Sequence, residues 1–376
     1  MCWCYSNNTL FTENNNGRLH KNIIMKLIKT VDAEGAVLCH DITQIIKGVT
    51  KDAVFRKGHV VTKEDIPVLL SVGKDQLYVW EKEEGMLHEN DGAEILCVMC
   101  KGEHMERSQA KEGKIELTAA CDGLLKVDNK GLKAVNGFGQ MMIATRHGNF
   151  AVKKGDKLAG TRIIPLVIEE EKMTKAKEAA MAATGNKPIL NLLPFKHKKV
   201  GIVTTGNEVF YGRIKDTFTP VIEGKLAEFD TEIIDHVTWN DDDTKVTASI
   251  LDMIHKGADI VVCTGGMSVD PDDKTPLAIK NTGADIVSYG APVLPGAMFM
   301  LAYYQVTEGD DPRTVAIMGL PGCVMYAKRT IFDLVLPRVM ADDKVTAEEL
   351  AALGPGGLCL NCPVCTFPNC GFGKGV

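Results

Sequence analysis

The chain has 376 residues, with 43 Lys+Arg against 49 Asp+Glu for a formal net charge of −6, 45% hydrophobic residues, 36 Gly and 12 Cys. This is the make-up of a globular chain of two to three domains of roughly 150 residues each, and it excludes disorder throughout. The acidic balance offers no field for a phosphate backbone, so nucleic acid is not an expected partner. The longest apolar stretch, Val293–Tyr304, is broken by Pro295 and Gly296 and falls short of the roughly 20 residues a bilayer needs, so no membrane span is expected.

In chain order, residues 1–24 are Asn-rich and lack the apolar core of a secretory signal; they read as a disordered leader on a cytoplasmic protein. Residues 25–85 form an N-terminal α+β segment. It holds a helix over Lys63–Val72, with Thr62 as N-cap and Gly73 as C-cap, and a strand at Leu77–Trp80. Residues 86–168 predict a small β-rich domain: a short helix at Ala93–Cys100, then runs such as KIELTAA and GDKLAGTRIIPLVI between Gly and Asn-Gly turns. Residues 169–197 read as a connecting helix (Glu169–Ala183), ended by Gly185 and Pro188, and a linker.

From 198 to 340, apolar runs (KKVGIVTTG, TEIIDHVTW, ADIVVCTGG, ADIVSYG, TVAIMGLPG) alternate with helical segments. Such alternation predicts a three-layer α/β/α domain with a mostly parallel sheet. Residues 341–376 form a Cys-rich C-terminal tail.

In such a sheet, ligands bind outside the carboxyl ends of the strands. Three loops there are small and rich in donors: Thr204-Thr205-Gly206-Asn207-Glu208, Thr264-Gly265-Gly266-Met267-Ser268 and Gly319-Leu320-Pro321-Gly322. A fourth, Asn240-Asp241-Asp242-Asp243, is acidic. Glycine backbone N–H groups, hydroxyls and helix N-termini suit a phosphate. Carboxylates at the same edge (Glu208, Asp241, Asp242, Asp273) predict a hard cation such as Mg²⁺ bridging to it.

The segments TTGNEV…GRIKDTF, CTGGMSVDPDDKTP, PVLPGAMF and MGLPGCVMYA occur in this order. They resemble the molybdopterin-binding domain of molybdenum-cofactor biosynthesis proteins, whose branches are the MoeA-like molybdotransferases and the MogA-like adenylyltransferases. The stretch Val54–Trp80 resembles the MoeA-like branch. The resemblance implies that Thr205, Gly206, Thr264, Gly265, Gly266 and Ser268 hold the phosphate end of the pterin, with Asp216 and Thr217 lining the site. It implies metal and catalytic roles for Asp273, Glu208 and Asp241 or Asp242. The activity implied is Mg²⁺-dependent exchange of the adenylate of adenylylated molybdopterin for molybdate; a homodimer is implied as well.

Three departures weigh on that activity. Leu294 and Ala297 stand where the molybdotransferases carry lysines, Asp270 replaces a usual Gly, and Cys323 a usual Asn. A site poorer in positive charge attracts an anion less. The alternative is therefore a non-catalytic carrier or sensor of molybdopterin or finished cofactor that docks to a molybdoenzyme.

Cys359, Cys362, Cys365 and Cys370 form a C-x2-C-x2-C-x4-C run in a Gly/Pro-rich segment with no room for a core. Four thiols at this spacing predict a metal site, either an iron–sulfur cluster or Zn²⁺, with a disordered reduced tail as the alternative. Cys97 and Cys100 lie one helical turn apart on an apolar face and read as core thiols.

Overall fold

The computed structural model describes residues 25–46, 50–80, 85–268, 270, 273–307 and 312–375; the leader expected over residues 1–24 lies outside the described residues. The N-terminal part pairs Met25–Lys29 and Val37–Leu38 with Gln76–Trp80, over a core of Leu38, Ile42, Val61, Leu69, Leu77 and Val79. Its helix α1 (Asp65–Ser71) is shorter than Lys63–Val72. Thr62 does not cap it: its backbone N–H donates to Asp65 Oδ2 at 2.8 Å, so the carboxylate closes the entry.

The middle domain has a four-stranded antiparallel sheet in the order Met141–Thr145, Lys157–Ile163, Lys114–Ala119, Met105–Arg107. A second sheet places Gly123–Val127 between Phe150–Val152 and Leu190–Pro194. Three helices pack on them: α2 (Glu89–Cys100), α3 (Asn129–Asn136) and α4 (Glu170–Thr184).

The expected connecting helix is α4, and its apolar stripe Met173, Ala176, Ala180 is buried in the same core as Leu96, Cys97, Cys100, Ile115 and Leu117. Residues three and four apart share one helix face, so this stripe seals the domain rather than spanning to the next. With Leu190 and Leu192 in the same core, the middle domain runs on past 168 to about 194.

The C-terminal sheet has six strands in the order Thr231–Trp239, Lys198–Thr205, Ile260–Thr264, Arg313–Leu320, Met300–Val306, Asp285–Tyr289. The first four are parallel to one another, and Met300–Val306 runs antiparallel to its neighbours on both sides. Successive side chains point to opposite faces. Thus Val200, Ile202 and Val262 pack with α6 (Thr219–Leu226) and α9 (Ile331–Met340), whereas Val203, Val261 and Cys263 pack with α7 (Asp243–His255) and α8 (Thr275–Asn281). This is the three-layer α/β/α arrangement that the uninterrupted apolar strands predict. Across the first layer, Lys225 of α6 donates to both carboxylate oxygens of the buried Asp333 at 2.7 and 2.9 Å.

After α10 (Ala347–Ala351) the tail folds back onto this domain. The Leu294 N–H donates to the Gly357 carbonyl, and Cys359 N–H to the Leu294 carbonyl, both at 2.8 Å. Phe372 is buried and Phe367 meets Phe150 edge-on at 5.7 Å. The tail thus has a core after all, borrowed from the α/β domain through two phenylalanines. Among the described residues no helix is long and apolar enough to cross a membrane.

Candidate functional site

Sheet register decides which loops meet. Thr204 pairs with Thr264, and Thr264 with Leu320, while Thr205 pairs with Trp239. The loops that follow therefore leave one carboxyl edge at nearly one level. Because Met300 pairs with Gly319 in antiparallel sense, the Leu294–Pro295–Gly296 turn that precedes Met300 comes to the same edge. The glycine-rich loops, the acidic loop and this turn are thereby neighbours.

The edge is close-packed. A Cβ on Gly265 (φ +82°) would lie 2.1 Å from the Thr205 carbonyl oxygen, and one on Gly266 (φ +55°) 2.9 Å from Thr275 Oγ1. Only glycine combines that left-handed backbone with that approach. A Cβ on Gly319 would meet Met267 Sδ at 2.6 Å, and one on Gly296 would meet Ile331 at 2.5 Å.

The threonines expected to face a phosphate are engaged with one another. Thr264, fully buried, donates to Thr204 Oγ1 at 3.4 Å; Thr205 Oγ1 meets Thr275 Oγ1 at 3.0 Å. Thr204 Oγ1 also meets Thr219 Oγ1 and His236 Nε2, each at 3.1 Å. A buried polar chain of this kind fixes the spacing of the loops by satisfying groups that would otherwise be costly to bury. Gly206, Pro321 and Gly319 are buried beside it, and Asn207 and Gly322 are more open.

The four aspartates each have a local partner. Asp216 accepts from the backbone N–H of Phe218 and Thr219 at 2.8 and 3.0 Å and from Thr219 Oγ1 at 2.6 Å. Burial pushes its pKa up, but these bonds and the His236 charge outweigh it and hold the carboxyl below its usual range. Asp241 accepts from the Asn207 N–H at 3.2 Å. Asp242 caps α7 through the Lys245 N–H and pairs with Lys245 Nζ at 3.4 Å. Asp273 accepts from the Ser268 N–H at 2.8 Å, bending the loop so that Tyr289 OH donates to the Met267 carbonyl at 3.1 Å. Glu208 and Thr217 are exposed, and Thr217 Oγ1 donates to Met325 Sδ at 3.1 Å.

Two expectations change here. The donor-rich loops do not each lead straight into a helix: Gly206 enters the single turn of α5 (Asn207–Phe210), α8 starts only at Thr275, and Pro321 leads into a 3₁₀ turn at Gly322–Met325. Nor do the carboxylates gather: among the described residues no three His, Cys, Asp or Glu are grouped to hold a metal ion.

Sequence reading missed His236, Thr219, Thr275 and Tyr289. Each lies in or beside a periodic element, and its part in the edge comes from register across the sheet rather than from a local motif.

The four tail cysteines lie beside this edge. Cys359 and Cys370 pack against the α/β core, and Cys362 and Cys365 are exposed. Cys97 and Cys100, by contrast, are buried in the middle domain, and burial pushes the Cys100 thiol up to about 12.

Residues 201–341 match the family model described as a probable molybdopterin binding domain. Residues 27–81 match a separate model, a domain of unknown function, which takes in the Val54–Trp80 stretch that carried the MoeA-like resemblance.

Among curated proteins, the chain is similar to the CinA-like protein of Mycobacterium tuberculosis: 34% identical over 77 residues, 20% of this chain and 18% of that protein. The CinA-like protein of Mycobacterium avium is 32% identical over 77 residues, with the same coverage. The chain spans less than a fifth (18%) of the length of these curated relatives.

Among solved structures, the tungsten cofactor synthesizing protein MoaB from Pyrococcus furiosus aligns with 39% of this chain and 89% of its own at 21% identity and TM-score 0.29. The protein CinA from Thermoplasma acidophilum aligns with 38% of this chain and 98% of its own at 16% identity and TM-score 0.31.

Proposed function

We propose that the chain binds molybdopterin at the carboxyl edge of its six-stranded sheet and serves molybdenum-cofactor biosynthesis. The observation that carries this reading is the register that levels Thr204, Thr264 and Leu320 within a segment that matches the molybdopterin-binding family model. The backbone N–H groups of Gly265, Gly266 and Gly322, with the side chains of Asn207, Ser268 and Thr217 on the open side, receive the phosphate. Thr205, Thr264 and Asp216 keep those loops at their spacing, and Asp273 shapes the turn at Ser268.

Carriage of the pterin is favoured over molybdate insertion. Leu294, 56% exposed at the edge, offers no charge, and both its backbone groups are tied to the tail at Gly357 and Cys359. Ala297 adds no charge either, and Asp241, Asp242 and Asp273 each accept from a backbone N–H group. The insertion reading demands AMP release from adenylylated molybdopterin supplied with molybdate, dependent on Asp273.

The test is to purify the chain without oxygen, add molybdopterin, separate free ligand, oxidise and read the fluorescent pterin product. Wild type is expected to retain pterin, Gly265→Asp to lose it, and AMP release to stay at background. No pterin on wild type overturns the reading; AMP release lost in Asp273→Ala overturns carriage in favour of insertion.

A further inference from the structure

The four tail cysteines are brought to one place by tertiary structure. Cys359, Cys362, Cys365 and Cys370 all line a single cavity of about 390 Å³, whose other walls include Pro295, Tyr326, Lys328, Leu358 and Phe372. A structural zinc site draws four thiolates in to about 2.3 Å from one ion and leaves no room between them. Four thiols around a cavity of this size match a larger guest with several metal atoms, each taking one sulfur.

The surroundings agree with such a guest. Cys359 and Cys370 are held by the α/β core, and Leu358, Leu360 and Phe372 give the cavity an apolar lining. Positive charge is already in place: Lys328 and Arg329 line the cavity, and Lys328 Nζ donates to the carbonyls of Cys362 and Pro363 at 3.2 and 2.9 Å. A cluster with four thiolate ligands is anionic overall, so these cations offset it.

We infer that the C-terminal tail holds a [4Fe–4S] cluster through Cys359, Cys362, Cys365 and Cys370, in the cavity beside the Leu294–Gly296 turn. On assembly each thiol gives its proton to solvent as its sulfur bonds one iron. Two ferrous ions, two ferric ions and four sulfides make up the core, so no further oxidant or reductant is needed. The inference is independent of pterin binding and is tested without pterin.

The full chain is incubated without oxygen with ferrous and ferric iron in equal amounts and sulfide, desalted, and assayed for iron, sulfide and thiolate-to-iron charge-transfer absorption. The expected result is about four iron and about four sulfide per chain. Cys362→Ser and Cys365→Ser, at exposed positions, are expected to keep the wild-type circular dichroism and lose the absorption. Three results overturn the inference: one zinc per chain that iron and sulfide do not replace, no bound iron, or full iron content in both serine variants.

Discussion

The middle domain and the α/β domain with its tail both carry cysteines at C-x2-C spacing and glycines at positive φ, and they use them to opposite ends. In the middle domain Cys97 and Cys100 lie on α2 inside an apolar core, and Gly185 ends α4 with nothing within 4 Å of where a Cβ would stand. At the carboxyl edge, Gly265 presses on the Thr205 carbonyl, and the tail thiols line a cavity at the surface. Spacing alone does not tell a packed thiol from an available one; the residues around it do.

The largest expected effect sharpens the glycine half of this contrast. Gly265→Ala combines a 2.1 Å approach of the new Cβ to the Thr205 carbonyl oxygen with φ +82° and is expected to cost about 3 kcal/mol or more, with loss of pterin retention. Gly185→Ala, at φ +62° in open space, is expected to cost about 1 kcal/mol. Urea unfolding of both variants checks the difference, and equal costs would erase it.

The cysteine half is next. A serine at position 100 buries a hydroxyl among apolar side chains, so Cys100→Ser is expected to destabilise by about 1–3 kcal/mol. Cys362→Ser, exposed, is expected to stay within about 0.5 kcal/mol of wild type when no metal is bound.

A pH series separates the same thiols chemically. Burial raises Cys100 and Cys263 from 9.0 to about 12 in the folded state. A raised folded pKa contributes stability that is fully present below about 9 and is lost as pH climbs towards about 12. In native protein at pH 8, iodoacetamide is therefore expected to label Cys362 and Cys365 and to spare Cys97, Cys100 and Cys263, as read by peptide mass mapping. Labelling of Cys100 before Cys362 would break the contrast.

The smallest effect concerns Asp216, whose folded pKa lies below its ordinary value. That stability is present at neutral pH and is lost as pH falls from the ordinary carboxylate range, near 3.8, through the lower folded value. Asp216→Asn is expected to flatten the acid limb of the stability curve, measured by thermal unfolding between about pH 2 and pH 5.

Much of this was legible in the chain. Runs apolar at every position, such as DIVVC, announce strands covered on both faces, and the glycine-rich loops after them mark where a ligand is received. The core reading of Cys97 and Cys100 was legible too, because an apolar helix face surrounds them. Less legible was the role of α4: EEEKMTKAKEAAMAA shows high charge and strong helix formers, and its buried stripe is only Met173, Ala176, Ala180 and Thr184. The carboxylates were misleading as a set. Asp216, Asp242 and Asp273 each spend lone pairs on a backbone N–H within a few residues, a choice that depends on the turn each one sits in.

By itself, then, the sequence determined five of the six strands of the α/β sheet but not Met300–Val306, that the sheet is mostly parallel, and which loops are small enough to let a ligand reach the backbone. These follow from local periodicity and from the steric freedom of glycine. Tertiary structure alone decided that Thr204, Thr264 and Leu320 stand level, that their neighbouring hydroxyls bond one another, and that the tail returns to the Leu294 turn to place four cysteines around one cavity. Those outcomes depend on pairing between residues as far apart in the chain as Leu294 and Leu358, and no local pattern encodes such a register.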